Sequence, residues 1–190
     1  DLKDYNISPI LQSSFSNPDI LELDTVTEGQ AITAMKAIHL AKPSEPLIIS
    51  ACDHGLIYNQ ENYQKLISNP EVDIIIWVTR GYPGAIRNPE MYGWIDESLG
   101  EVKGVSVKSP LKTPKTDPII IGTFTFRNPE IFKQSVEELI KRNGMINNEF
   151  YIDSCIPDAI KMGYRCVLFE VDHYLCWGTP NDLRTYQYWQ

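Results

Sequence analysis

Long apolar segments, paired cysteines and basic residues are all scarce in this sequence of 190 residues, and each shortage excludes a class of protein. No apolar stretch approaches the roughly 20 residues of a membrane-spanning helix, and the first residues lack the basic and apolar regions of a signal peptide. The four cysteines include no C-x-x-C pair, which predicts reduced thiols and a cytoplasmic location. Lys and Arg number 17 against 25 Asp and Glu, so neither a nucleic acid polymer nor an anionic membrane is an expected partner.

Apolar runs alternate with amphipathic segments along the chain, and this alternation predicts an α/β fold. The length and the hydrophobic fraction of 43% fit one domain, residues 1–190. The predicted strands lie at about 47–52, 72–78, 118–126 and 166–171, and helices at about 61–68, 129–142 and 152–162 separate them. The uniformly apolar run from Ile74 to Ile76 indicates a buried parallel strand. We therefore expect a mostly parallel, mixed sheet flanked by helices.

Residues 80–117 differ in composition from the rest of the chain. Glycine, proline, lysine and isolated aromatic residues replace the apolar runs, although short strands near 92–95 and 104–107 fit the pattern. Loops of this kind are often mobile and carry function. We interpret the region as a loop-rich insertion that faces the substrate.

Two acidic residues follow apolar strands. Asp53 ends the run at 47–52, and a carboxylate at the carboxyl end of a central strand points into the crevice where open α/β sheets bind ligands. Alternatively, Asp53 caps the next turn. Asp172 follows the run at 166–171 in the same way, and each Asp precedes a His. If the two strands are neighbours, Asp53, His54, Asp172 and His173 could converge on a metal ion, which leaves a metal-dependent hydrolase as a weaker hypothesis.

Three further residues are candidates for binding a phosphorylated polyol. Lys108 follows a short predicted strand that would fix it, and an anionic phosphate in an acidic protein needs such a cation. Glu149 and Asp153 flank a short aromatic segment, and carboxylates accept hydrogen bonds from vicinal hydroxyls. The competing interpretations are that Lys108 is a solvated surface charge and that Asp153 favours the start of a helix.

Six blocks, taken in order, resemble the sugar-phosphate nucleotidyltransferase family. The resemblance extends over about residues 26–183, and the blocks are Thr27-Glu28-Gly29-Gln30-Ala31 with Thr33, Pro46 to Asp53, Val107-Lys108, Ile121 to Phe126, Asn148 to Asp153 and Trp177 to Leu183. It implies a GT-A-like, Rossmann-related fold. It also implies that a nucleoside triphosphate reacts with a phosphorylated sugar or polyol and releases pyrophosphate.

The same resemblance implies roles for particular residues. Glu28, Gly29 and Gln30 would lie near the nucleobase, and Asp53 would bind Mg2+. Lys108 would contact the phosphate or sugar of the acceptor. Gly122 would let the acceptor approach the backbone, and Glu149 would bind its hydroxyls.

Two departures from the family pattern modify this expectation. The family's glycine-rich triphosphate loop, with its Arg and its Pro-Lys pair, is not found in these residues. We therefore expect the chain to be the later part of a longer domain and to be inactive alone. Cys176 stands where many members of the family have a second metal-binding Asp. Three alternatives follow: Asp172 takes the place of that ligand, a water molecule replaces it, or one protein carboxylate is sufficient.

The expected function is nucleotidyl transfer in the synthesis of precursors for surface polysaccharides or glycoconjugates. A non-catalytic regulatory module that binds a sugar nucleotide is the alternative, motivated by the missing loop and by Cys176. The nucleotide, the acceptor and the oligomeric state stay open at this stage.

Overall fold

A six-stranded mixed sheet forms the centre of the protein in the computed structural model, which describes residues 5–190. Residues 1–4 of the predicted domain lie outside the described residues. The strands are β1 (Leu47–Ser50), β2 (His54–Ile57), β3 (Ile74–Thr79), β4 (Gly93–Ser98), β5 (Glu101–Val107), β6 (Ile119–Phe126), β7 (Cys166–Glu170) and β8 (His173–Cys176). The main sheet has the order β1-β6-β3-β7-β5-β4, and β2 and β8 form a separate antiparallel ribbon.

Seven α-helices accompany these strands in residues 5–190. They are α1 (Ile7–Ser14), α2 (Gln30–Ala37), α3 (Gln60–Ile67), α4 (Pro83–Arg87), α5 (Pro129–Lys141), α6 (Ile156–Lys161) and α7 (Pro180–Tyr188), with 3-10 turns at Ile38–Leu40, Pro89–Met91 and Asp153–Cys155. Asn59, Asn128 and Thr179 cap α3, α5 and α7, each accepting a backbone N–H from the residue three positions later. Within the described part of the chain, no helix is long and apolar enough to span a membrane.

Strand β3 shows how the core is divided between the two faces of the sheet. Ile74 and Ile76 pack with residues of α2, α5 and α6 on one face. Ile75 and Trp77 pack on the other face with residues of α3, α4 and β7. Because both faces are covered, every position of β3 up to Val78 is buried, which accounts for its uniformly apolar sequence.

The mixed α/β sheet flanked by helices is confirmed, but the predicted predominance of parallel pairs is wrong. Strands β3 and β7 are parallel, whereas all the other pairings found in residues 5–190 are antiparallel. Burial on both faces makes a strand apolar whatever the direction of its neighbours, so the composition of β3 could not reveal direction. Strand β1 is also an edge strand rather than a central one, and Ile48 is 52% exposed.

Strand β6 is continuous, but its pairing along one edge is interrupted. On one edge it pairs with β1 through residues 123–126 and with β4 through residues 119–120. Between these two stretches the register of β6 against β3 shifts, and Gly122 has a φ of 74°. Ala51 N donates to Gly122 O at 3.0 Å just past the end of β1, and the gap between β1 and β4 lies beside residues 121–122. Residues 80–117, the predicted insertion, contribute β4 and β5 to the main sheet.

Candidate functional site

Asp53 lies in the short connection between β1 and β2, on one side of the gap beside β6. Its backbone carbonyl accepts a hydrogen bond from Trp177 N at 2.8 Å, while its side chain is 56% exposed. A Cβ added to Gly178 would come within 2.8 Å of Asp53 Oδ2. The glycine therefore lets the chain after β8 approach a carboxylate that remains open to solvent.

His54 is part of the packing beside Asp53. Its side chain is 3% exposed, and Nε2 lies 3.0 Å from Thr123 Oγ1 and 3.3 Å from Ser50 Oγ. Burial lowers the pKa of His54, although the Asp53 carboxylate 3.9 Å from Nδ1 acts in the opposite direction. This buried imidazole links β1, β2 and β6 through Nε2, and in residues 5–190 it is not part of a group of three side chains that could hold a metal ion.

The structure does not bring Asp172 to Asp53. In the β2–β8 ribbon His54 is opposite Cys176 and Ile57 is opposite His173, so Asp172 lies past one end and Asp53 past the other. Five residues of extended chain separate Asp172 from Trp177, the neighbour of Asp53, which corresponds to about 16 Å. The expected pair of metal-binding carboxylates is therefore not formed, because the antiparallel pairing of β2 with β8 places Asp53 and Asp172 at opposite ends of the ribbon.

The geometry also removes the basis of the hydrolase hypothesis. In residues 5–190 no three His, Cys, Asp or Glu side chains are grouped so that they could hold a metal ion. His173 is exposed at the distant end of the ribbon. The convergence of Asp53, His54, Asp172 and His173 that this hypothesis requires does not occur.

Cys176 lies next to a cluster of three tyrosines, Tyr82, Tyr92 and Tyr174, which the sequence analysis did not predict. The rings of Tyr82 and Tyr174 are 5.0 Å apart, and those of Tyr82 and Tyr92 are 6.0 Å apart. Burial, together with the nearby Cys176, raises the pKa of Tyr82 and Tyr174, and it raises that of Tyr92 to about 12. The hydroxyls therefore stay protonated. These tyrosines lie far apart in sequence, so no local pattern could have predicted the cluster.

Cys176 also contacts Asp182, at the start of α7. The Cys176 thiol donates to Asp182 Oδ2 at 3.7 Å, and the Thr179 hydroxyl donates to the same oxygen at 2.6 Å. The thiol is therefore hydrogen-bonded at the position where the resemblance implies a metal-binding carboxylate.

Lys108 lies across the gap from Asp53, directly after β5. Its backbone is left-handed, with a φ of 57°, and its N–H donates to Tyr92 O at 3.1 Å. The ammonium group donates to Met91 O at 2.5 Å and lies 5.4 Å from the centre of the Tyr151 ring. The side chain is thus held back against the start of β4.

Glu149 is presented by a tight turn. Ile146 and Glu149 exchange two backbone hydrogen bonds of 3.0 Å, and both central residues, Asn147 and Asn148, are left-handed. This is the geometry of a type I′ turn, which asparagine tolerates well. Burial raises the pKa of the Tyr151 hydroxyl, and the neighbouring Glu149 carboxylate acts in the same direction. Lys108, Tyr151 and Glu149 therefore form one polar cluster, called the acceptor cluster below.

Gly29 joins the predicted nucleobase segment to the acceptor cluster. Phe150 N donates to Glu28 O at 2.7 Å, and Ala31 N donates to Phe150 O at 3.0 Å. Gly29 has a φ of 117°, and a Cβ there would lie 2.6 Å from Phe150 N. Only glycine fits this contact, and the side chains of Glu28 and Gln30 beside it are exposed.

Asp153 lies beneath the acceptor cluster. Its Oδ1 is buried and has no hydrogen-bond partner among residues 5–190, and a Cβ on Gly93 would come within 2.4 Å of Oδ2. Desolvation raises the pKa of Asp153 to about 6, while Lys108 and the backbone N–H groups of Ser154 and Asp153 favour the ionised form. The start of a helix was one of its two predicted roles, and it does begin a 3-10 turn.

Gly122 connects the two sides of the site. A Cβ at Gly122 would lie 3.3 Å from the Cβ of Ala51 and 3.7 Å from His54 Cε1, next to Asp53. On the same strand, Ile120 lies 3.2 Å from where a Cβ of Gly93 would be, next to Asp153. The gap beside β6 thus has Asp53 on one side and the acceptor cluster on the other.

Solved structures share this architecture. The chain aligns over 98% of its length with 75% of a nucleoside-diphosphate-sugar pyrophosphorylase from Vibrio cholerae RC9, at 16% identity and a TM-score of 0.73. The fold resemblance is clear. The chain has the fold of the sugar-phosphate nucleotidyltransferases.

Two further structures agree with this assignment of the fold. One, from Bacillus anthracis, is assigned as a glucose-1-phosphate thymidylyltransferase and contains sucrose. The alignment covers 97% of this chain and 71% of the Bacillus anthracis chain, at 14% identity and a TM-score of 0.73. The other is the inositol-1-phosphate CTP transferase from T. maritima. The alignment covers 98% of this chain and 70% of the transferase, at 14% identity and a TM-score of 0.70. No protein-family model and no curated protein sequence matches the chain.

Proposed function

We propose that the protein transfers a nucleotidyl group from a nucleoside triphosphate to a phosphorylated sugar or polyol and releases pyrophosphate. The observation that carries this proposal is the arrangement around the gap beside β6. A solvent-exposed carboxylate, Asp53, lies on the β1 side of the gap, and a cation and an exposed carboxylate, Lys108 and Glu149, belong to the acceptor cluster on the β4 side. A metal-bound triphosphate and a phosphorylated acceptor need these two environments side by side.

The chemistry assigned to this site requires positioning more than proton transfer. A phosphate oxygen of the acceptor forms a bond to the α-phosphorus of the triphosphate, and the bond from that phosphorus to pyrophosphate breaks. The attacking phosphate is already an anion, so no general base is needed. Lys108 would hold the acceptor phosphate, and Glu149 would accept hydrogen bonds from hydroxyls of the acceptor.

Asp53 fits a magnesium ion as a single protein ligand. Its carboxylate is 56% exposed, its oxygens suit a hard cation, and it has no competing Lys or Arg partner within residues 5–190. Asp172 is too distant, and Cys176 is a thiol that a hard cation disfavours. When bound, Mg2+ would neutralise phosphate charge and keep water in its remaining positions.

The nucleobase segment and the biological setting are part of the proposal. The exposed side chains of Glu28 and Gln30, with Gly29 between them, would contact the base beside the acceptor cluster. Products of this reaction are activated sugars or polyols, so we propose a role in the synthesis of surface polysaccharide or glycoconjugate precursors in the cytoplasm. A glycine-rich triphosphate loop is not among these 190 residues, and we assign to them the metal and acceptor sides of the site.

A substrate screen tests the proposal. The complete protein is incubated with Mg2+, each nucleoside triphosphate and a panel of sugar and polyol phosphates, and pyrophosphate is measured. We expect release with one pair of substrates and none without the acceptor. Absence of release from every pair, with the protein folded, would contradict the enzyme assignment.

The position of Cys176 favours one alternative, a regulatory module that binds a sugar nucleotide without turning it over. The thiol is hydrogen-bonded to Asp182 and sits among tyrosines at a position where the resemblance leads one to expect a metal ligand. Saturable binding of a nucleotide sugar to the complete protein, measured by calorimetry, together with no pyrophosphate release in the screen above, would support this second function.

A further inference from the structure

Asp153 is an unusual group to find beneath a ligand site. Its Oδ1 is buried without a hydrogen-bond partner in residues 5–190, and its Oδ2 is pressed against the backbone at Gly93, at the start of β4. Burying an ionised carboxylate is costly unless a cation or several donors compensate it. The carboxylate therefore depends strongly on the charges that surround it.

Lys108 is the cation that can compensate it. The cation that lowers the pKa of Asp153 is Lys108, and Asp153 in turn raises the pKa of the Tyr151 hydroxyl and of the Cys155 thiol. The Lys108 ammonium is folded inward, bound to Met91 O and lying over Tyr151, rather than extended into the gap. Met91 is two residues from Gly93, so the ammonium and the carboxylate approach the same end of β4.

We propose that Asp153 is a positioning residue that holds the Lys108 ammonium inward, and that it takes up a proton when an anion draws the ammonium outward. This inference rests on the proposed role of Lys108 in binding the acceptor phosphate. When Lys108 moves toward a phosphate, Asp153 loses the cation that favours its ionised form, so its carboxylate becomes harder to keep ionised. One proton from solvent then joins the Asp153 carboxylate for each anion bound, and no other bond changes.

Protonation of Asp153 and anion binding by Lys108 should favour each other. Above the titration midpoint of Asp153 its negative charge competes with the anion for Lys108, whereas below the midpoint the ammonium is released. An anion whose own charge is constant should therefore bind more tightly as the pH falls. Replacing Asp153 by the neutral, similarly shaped Asn should abolish the competition and its pH dependence.

Carbon NMR of the Asp153 carboxyl group tests the coupling without any ligand. In the Lys108→Met variant we expect the midpoint of Asp153 to rise by about one pH unit or more. Lys103→Met is the matched control, because Lys103 lies on the same strand β5 but pairs with Glu101, and there the midpoint should stay unchanged. Equal midpoints for Asp153 in wild type and Lys108→Met would overturn the inference and leave the proposed function intact.

Sulfate binding provides the second test, because sulfate keeps its charge from about pH 5 to about pH 8. Calorimetry on the complete wild-type protein should show affinity rising about tenfold between about pH 7.5 and about pH 5.5. Asp153→Asn should bind more tightly than wild type at the higher pH and show little change with pH. If Lys108→Met does not weaken sulfate binding, the proposed role of Lys108 fails. If it does, but wild type and Asp153→Asn respond equally to pH, the positioning role of Asp153 fails.

Discussion

Two aspartates on opposite sides of one gap experience contrasting environments. Asp53 and Asp153 each face a glycine whose missing Cβ leaves space for a carboxylate oxygen, Gly178 at 2.8 Å and Gly93 at 2.4 Å. Yet the side chain of Asp53 is 56% exposed, whereas Oδ1 of Asp153 is buried and unpartnered in the described chain. Access to water is the main difference between them.

This difference determines what each carboxylate can do. An exposed carboxylate is stable as an anion and can exchange water for a metal ion at little cost. A buried one needs a cation or hydrogen-bond donors to stay ionised, and at Asp153 Lys108 is the cation among them, so the charge of Asp153 responds to the movement of Lys108. Side chains of the same type are therefore suited to metal binding on one side and to positioning on the other.

Replacing Asp53, on the metal side of the gap, should have the largest effect, and this effect is on activity rather than on stability. In the complete protein, Asp53→Ala should lower magnesium-dependent pyrophosphate release by about a hundredfold or more. It should change the free energy of unfolding by no more than about 0.5 kcal/mol, because the side chain is exposed and the structural hydrogen bond uses the backbone carbonyl. Steady-state kinetics and urea unfolding measure the two quantities, and unchanged turnover would remove Asp53 from the site.

The second prediction concerns stability against pH. The pKa of Asp153 is about 6 in the folded protein against an ordinary value of 3.8, so the folded state holds its proton more tightly. Its contribution to stability is fully present below about pH 4 and is lost as the pH rises to about 6, by as much as about 3 kcal/mol.

Asp153→Asn isolates this contribution. We expect the unfolding free energy of wild type, relative to the variant, to fall between about pH 4 and about pH 6 and to be level above that range. Urea unfolding of both proteins at a series of pH values measures it. A difference that stays constant with pH would show that Asp153 is not a buried carboxylate of this kind.

Alanine substitutions at Gly93 and Gly178 test whether Asp153 is held more tightly by its surroundings than Asp53. Gly93→Ala should destabilise the protein by about 1–3 kcal/mol, because the new Cβ meets a buried carboxylate and Ile120. Gly178→Ala should cost under about 0.5 kcal/mol, since the exposed Asp53 side chain can rotate away. Thermal unfolding of the two variants compares them, and equal losses would contradict the contrast in burial.

The smallest effect is expected at Lys108. Lys108→Ala should raise the KM for the acceptor about tenfold and leave the KM for the triphosphate unchanged, because its charge lies on the acceptor side. Initial rates with each substrate varied in turn separate the two constants. A loss confined to the triphosphate would contradict the assigned role.

Local patterns predicted most of the elements well. The helix at 61–68, the helix at 129–142 and the apolar strand at 118–126 all appear within one residue of their expected positions. These elements depend on hydrophobic periodicity and on capping, which involve residues close together in sequence. The resemblance added the fold, which the solved structures confirm.

Hydrophobic periodicity and capping could not predict the ribbon of β2 and β8, although this ribbon sets the positions of Asp53, Asp172 and Cys176. Each strand has four residues, and their sequences, His54 to Ile57 and His173 to Cys176, show no clear alternation. Their pairing separates Asp53 from Asp172 and brings Cys176 next to the tyrosines. The burial of Asp153 likewise depends on Gly93, which is 60 positions away in sequence, so only the folded chain reveals it.

Phosphorus NMR of the reaction tests the central claim most directly. The complete protein is supplied with Mg2+, a nucleoside triphosphate and the acceptor found in the screen. The account predicts a new diphosphate-linked product and pyrophosphate in equal amounts, both lost in Asp53→Ala. Formation of free nucleoside monophosphate instead of a linked product, or equal turnover by Asp53→Ala, would contradict it.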